Sequence, residues 1–308
     1  MLFMNYQTFL KIVADFVTAA LPSGYFVTVY PIHKNNNFIW DAFVMKGGTI
    51  SPTVYVKPYY KRYKSGEDLY QIQMEITAIF QNMCIGKKEQ IEHLLSYDYA
   101  KNKIAMRLIG YETNRKQLMT VPHRRFFDMA IVYYISISYS ENEYGSIQIT
   151  NTIQQMWGKT EAQLYSIALP NTLKLFPPVA LTFGDMLKQL QTADKEQEFS
   201  LAECMKMENA AYQHMYVVSN KANFYGGVYM YYPHIRDAIA KKADADLIIT
   251  PLSVHEAVAV PFCKQLDQLE FYQEAAKHTY DTIPTPTERL TPSIYYFSRE
   301  KKAFSMIE

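Results

Sequence analysis

The stretch that most limits the fold lies between Phe127 and Ser138. Met129 to Ile137 is the longest apolar run in the chain, broken only by Ser136. It falls far short of the ~20 residues that a membrane-crossing helix needs. Its Ile, Val and Tyr residues favour an extended strand, which needs a partner. Ile147 to Thr150 supplies one across a turn at Asn142 to Gly145, making a hairpin. A second hairpin signal stands near the N-terminus. Tyr25–Ile32 and Phe38–Met45 flank Asn35, Asn36 and Asn37, and Asn tolerates left-handed backbone angles.

Helical periodicity fills much of the rest. Phe9, Ile12, Val13, Phe16, Val17 and Ala20 form one amphipathic stripe. Lys11 and Asp15 interrupt it, and no cation precedes it, so a first core helix is expected rather than a cleaved leader. Ile50–Val56 reads as a third strand, with Pro52 at its start or on an edge. Leu69, Ile72, Ile76, Ile79, Phe80 and Met83 mark a second helix, with Ser65 and Asp68 as its capping residues. A further helix is expected from Lys87 to Tyr99.

Past residue 100 the chain is richer in strands. Ala105–Ile109 is a candidate strand. Thr160 with Gln163 caps a helix carrying Leu164, Ile167 and Ala168, and Ser200 with Glu203 opens another. Met215–Val218 and Gly227–Tyr232 read as a hairpin, with Gly226-Gly227 as a turn needing positive φ. Pro233 then opens a helix reaching Ala243. Leu247–Thr250 and Ala257–Val260 are short strands, Gln265–Tyr280 is helical and Ile294–Ser298 is a final strand.

The fold class is therefore α+β. A smaller N-terminal domain mixing helices and strands (1–100) precedes a larger C-terminal one (101–308), built on antiparallel strand pairs with flanking helices. The 308 residues suit two domains at ~150 each. Strand, turn, strand, helix recurs at 127–170 and 215–243, which points to an internal duplication of about 101–205 and 206–308.

Composition narrows the function. The net charge of +1 lacks the basic excess expected of a protein that grips nucleic acid by its backbone, so only a local patch could do so. Cys84, Cys204 and Cys263 lie far apart, without a CxxC pair. This fits a reducing, cytoplasmic setting and a stability independent of zinc and disulfides. Neither GxGxxG nor GxxxxGK[ST] occurs, and the seven histidines lack metal-ligand spacing, so no cofactor and no metal is expected.

Three constellations could carry chemistry. In the first, His123, Arg124, Arg125 and Asp128 precede the long strand and could converge on an anion, or His123 and Asp128 could act as base and orienter. The plainer reading is a turn with solvated charges. In the second, Pro251-Leu252-Ser253-Val254-His255-Glu256 places Ser, His and Glu side by side. Neighbours on a strand point to opposite faces, and a triad is assembled from distant residues, so a structural turn is favoured. Two strands of one sheet could still bring His123 and His255, with Asp128 and Glu256, to one edge.

In the third, Lys57, Lys61, Arg62 and Lys64 interleave with Tyr59, Tyr60 and Tyr63. Cations neutralise phosphates while aromatic rings stack on bases, so this is the expected nucleic-acid patch. Reversing Lys61 and Arg62 should then abolish such binding. As the start of a helix, Tyr59 and Tyr63 would instead pack inward beneath solvated cations.

Several of these stretches resemble a family of uncharacterised clostridial and related Firmicutes proteins, known only as a domain of unknown function. They are 50–56 with Tyr63 and Gly66; Arg107–Ile109 through Asn114 to Leu118; and Val121–His123 through Phe127–Tyr133. Met215–Asn220 with Gly226, Pro251–Glu256 and Leu290–Tyr296 complete them, in the same order. The family pattern usually has Ser where this chain has Leu252. The resemblance implies a bacterial cytoplasmic protein, often carried near mobile elements, and no known activity. The leading expectation is a non-enzymatic binding module for a protein or small-molecule partner, with no membrane contact. The alternative is a hydrolase or nucleic-acid-processing enzyme using His123, Asp128, His255 and Glu256.

Overall fold

The computed structural model describes residues 3–47, 53–84, 95–138, 144–182, 184–185, 215–262 and 269–307. Contacts divide the chain into two units, Met1–Ala100 and Lys101–Glu308. The fold is α+β with antiparallel sheets.

In the first unit, α1 (Tyr6–Ala19) starts at Asn5, whose side chain accepts from the Thr8 amide. β1 (Phe26–His33) and β2 (Ile39–Lys46) form the expected hairpin, with Asn36 and Asn37 at φ 62° and 58°. β3 (Thr53–Tyr55) extends the sheet in the order β1-β2-β3 and leads directly into α2 (Val56–Lys64). α3 (Leu69–Cys84) comes next. Asp68 caps α3 by accepting from the Gln71 amide, whereas Ser65 closes α2 through the Lys61 carbonyl. The core joins Phe9, Val13 and Val17 to Ile72, Ile76 and Phe80, and to Val27, Phe43 and Val54 of the sheet. Ile12, expected in that core, is 38% exposed; Leu10 and Ala14 are buried instead. The strand expected at 50–56 is described only from Thr53, and Val56 is already helical. Of the helix expected from Lys87 to Tyr99, the part before residue 95 lies outside the described residues; Leu95 is helical, and after a bend at Ser96 a separate turn spans Tyr97–Ala100.

In the second unit, β4 (Ile104–Gly110), β5 (His123–Phe126), β6 (Met129–Ser138) and β7 (Tyr144–Gln148) form one sheet. β6 pairs with β4 on one side and with β5 and β7 on the other. The strand expected from Phe127 to Ser138 begins at Met129, and β5 is an additional strand just before it. Phe127, at φ 54°, and Asp128 form the tight turn between them. α4 (Glu161–Leu175) carries the expected Thr160–Gln163 capping box, and its Thr172 hydroxyl accepts from the Met106 amide of β4.

A second sheet has the order β13-β12-β10-β11-β9-β8. Its strands are β8 (Pro178–Thr182), β9 (Tyr216–Asn220), β10 (Asp246–Thr250), β11 (Ala257–Phe262), β12 (Tyr295–Phe297) and β13 (Phe304–Met306). α5 (Pro233–Ala243) opens on Pro233 as expected, and α6 spans Leu269–Thr282. The helix expected at Ser200 lies outside the described residues.

The return strand expected at Gly227–Tyr232 does not form; Gly226–Tyr231 is a 3-10 helix. The repeated motif is therefore not repeated, and the two sheets differ in strand number and order. Nor do Gly226 and Gly227 have positive φ. They are needed because a Cβ on Gly226 would sit 2.5 Å from both the His255 carbonyl and the Ser219 hydroxyl, and one on Gly227 2.5 Å from the Ser253 carbonyl. Among the described residues, no helix is long and apolar enough to cross a membrane.

Candidate functional site

Alternation along β5 splits the first constellation between two faces. The His123 Nδ1 lies 3.1 Å from the Val121 carbonyl. The Arg125 guanidinium stands 4.5 Å over Tyr111. On the other face, Arg124 donates two hydrogen bonds to Glu161, at 3.2 and 3.1 Å, and stacks 3.8 Å over Tyr165. Tyr133 donates its hydroxyl to the same carboxylate. Asp128 accepts from Thr291 at 2.5 Å, from Ser293 at 2.8 Å and from the Tyr295 hydroxyl. Burial and the Asp128 charge hold the Tyr295 phenol far above its usual range. Asp128 thus clamps the β5–β6 turn to the segment entering β12.

The second constellation is a packed corner. The Ser253 hydroxyl accepts from the His255 amide at 3.1 Å, and the Ser219 hydroxyl donates to the His255 carbonyl at 2.7 Å. The His255 Nδ1 accepts from the Tyr225 amide at 3.3 Å, which assigns the ring proton of the neutral form to Nε2. Nε2 is 4.0 Å from Glu288. The imidazole stacks on Tyr225 at 5.6 Å and 12°, and Arg107 lies 4.5 Å from the same phenol ring. Burial, aided by Arg107, lowers the His255 pKa against the opposing effect of the Asn223 carbonyl. Burial raises Glu256, and Glu288 raises it further. Asn223 and Tyr225 take left-handed angles to make this corner.

Among the described contacts, no side chain of His123, Asp128, His255 or Glu256 touches another of the four, and the two imidazoles share no partner. The Ser253 hydroxyl meets the His255 backbone, not its ring. Among the described residues, no three His, Cys, Asp or Glu side chains gather as metal ligands.

The third constellation is redistributed. Tyr59, Tyr60 and Tyr63 pack on the core, as the helical reading requires. Arg62 forms ion pairs with Glu67 and Glu75 and stands 5.3 Å from the Tyr59 ring centre. Lys64 caps the Phe3 ring at 5.0 Å, and Lys61 is exposed. Lys57 instead lies 5.9 Å from the Trp40 ring, beside a group that the sequence did not single out.

That group arises from strand register. Trp40 and Ala42 share one face of β2, and Tyr55 pairs with Ala42, so Trp40 and Tyr55 are diagonal neighbours. Their rings meet edge to face at 5.6 Å and 83°. Lys34, just before the Asn turn, reaches over both, 3.7 Å from Tyr55 and 5.4 Å from Trp40. Tyr30 pairs with Ala42 from the other side, and Lys46 lies 5.9 Å from its ring. Tyr30 and Phe26 are 56% and 50% exposed. The only carboxylate in the three strands, Asp41, faces the opposite side, where it accepts from Tyr6 at 3.0 Å.

These features define a mixed α+β protein with a lysine-rimmed aromatic face in its first unit. The chain belongs to the family of unknown function DUF5688, whose model matches residues 6–299. No curated protein and no solved structure matches it.

Proposed function

We propose that this protein is a non-enzymatic binding module and that the outer face of β1–β3 takes an acidic partner. One observation carries the reading: Lys34 and Lys57 converge on Trp40, with Lys34 also over Tyr55, and neither lysine has a carboxylate partner among the described residues. Charges left without a carboxylate beside the half-buried Trp40 and Tyr55 rings suit recognition better than folding stability. The separate, local engagement of His123, Asp128, His255 and Glu256 further supports binding over catalysis, because a catalytic pair needs mutual geometry.

Retention on immobilised heparin, a generic polyanion, tests the reading. The wild type should be retained and elute with salt, and Lys34→Glu with Lys57→Glu should elute earlier. Lys116→Glu with Lys277→Glu makes the same change in net charge at exposed positions of the second unit and should leave retention nearly intact. Equal loss from both pairs would refute a localised face.

A further inference from the structure

Resting on the acidic-partner reading, we propose that the partner is single-stranded nucleic acid, with bases stacked on the aromatic rings of the β1–β3 outer face and phosphates held by its lysines. Charge alone would suit any polyanion. The rings decide between them. Phe26 and Tyr30 lie on one face of β1, four residues or ~13 Å apart along the strand, and each exposes half its surface or more. Ala42 separates Tyr30 from Tyr55 in one cross-strand row, and Trp40 stands diagonal to Tyr55. An acidic peptide would use the lysines and leave these rings idle, whereas each nucleotide carries both an anion and a flat π face. Exposed rings such as Phe26 and Tyr30 stack on bases that are themselves unstacked, which selects single strands over duplex.

Lys34 lies over Tyr55 and Trp40, Lys57 over Trp40 and Lys46 over Tyr30, so phosphates of a strand whose bases stack on the exposed Phe26 and Tyr30 would pass within reach of the three ammonium groups. With the sole strand carboxylate on the opposite face, the surface itself offers no repulsion to phosphate. The site differs from the one first expected on α2, because Arg62 is already held by Glu67 and Glu75.

The chain has two tryptophans, Trp40 and Trp157, so Trp157→Phe leaves Trp40 as the only indole reporter. An oligothymidylate of about twelve nucleotides, within the ~4–16 that such single-strand sites span, should quench its fluorescence on titration. Tyr30→Ala, at an exposed position, should weaken binding about 5- to 150-fold, the range for loss of one stacked base. Lys34→Glu with Lys57→Glu should flatten the plot of log affinity against log salt by about 1.4, at ~0.7 per single-strand phosphate contact. Fluorescence anisotropy with labelled oligonucleotide and unmodified tryptophans gives the same comparison should Trp157→Phe fail to fold.

Polyglutamate and duplex DNA separate the outcomes. If polyglutamate binds as tightly as oligothymidylate and Tyr30→Ala changes neither, the nucleic-acid inference falls while the acidic-partner reading stands. Equal binding of duplex DNA overturns it too. If none of the polymers binds at low salt, both proposals fall.

Discussion

Removing the Asp128 carboxylate should destabilise the second unit substantially, and the ranking of nearby variants should show why. Three hydroxyls converge on this group: Tyr295 on one oxygen, Thr291 and Ser293 on the other. In Asp128→Ala, Thr291 and Tyr295, which are 5% and 0% exposed, would keep buried hydroxyls with no acceptor. Each such loss costs about 1–3 kcal/mol. Ser293 is only half-buried and can return to water. Allowing for the desolvation no longer demanded by the carboxylate, the net cost is about 3 kcal/mol. Asp128→Asn keeps one oxygen and should cost about 1–2 kcal/mol, as should Tyr295→Phe, while Ser293→Ala should cost under about 0.5 kcal/mol. Urea unfolding in a Trp40→Phe background, followed by Trp157 fluorescence, reads the second unit alone, which matters because two units need not unfold as one transition. A cost below about 1 kcal/mol for Asp128→Ala, or a Ser293→Ala effect as large, would refute the clamp.

The contacts of the glycine pair, His255 and Arg62 set three further outcomes. Gly226→Ala and Gly227→Ala should each destabilise by about 1–3 kcal/mol through overpacking, measurable by thermal melting; unchanged melting would mean that the 253–255 backbone yields freely. Because burial and Arg107 lower the folded-state pKa of His255 below 6.5, its contribution to stability is present above that pH and lost as pH falls through the window beneath it. Glu256 and Glu288, both raised, act in the opposite sense, so the comparison is differential: between pH 7 and 5, His255→Gln should lose less stability than the wild type, and parallel curves would contradict the assignment. Arg62→Ala should leave thermal melting nearly unchanged, since its pairs with Glu67 and Glu75 are substantially solvated, and should leave heparin retention close to wild type; a large loss of retention would return the site to α2.

Local chemistry made much of this fold legible. The Asn35–Asn37 turn, the Thr160–Gln163 capping box and Pro233 at a helix start each act within a few residues, so their signals lie in the sequence itself. β5 was hidden because His123-Arg124-Arg125 reads as solvated loop, and because Phe127 adopts a left-handed angle rarely taken by a bulky residue. Gly226-Gly227 looks like a turn, yet the reason for it is the close approach of residues 253–255, which no local reading contains. The binding face depends on register across three strands that brings Lys34, Trp40 and Tyr55 together. The α2 cations were visible, but the capture of Arg62 by Glu75, thirteen positions on, was not.

The central claim sets a face in the first unit against a histidine site in the second. Oligothymidylate affinity, measured by anisotropy at one low salt concentration, compares the two directly in Lys34→Glu with Lys57→Glu and in His123→Ala with His255→Ala. The account predicts that the lysine pair loses binding while the folded histidine pair retains it. Retention by the lysine pair together with loss from the folded histidine pair would contradict it.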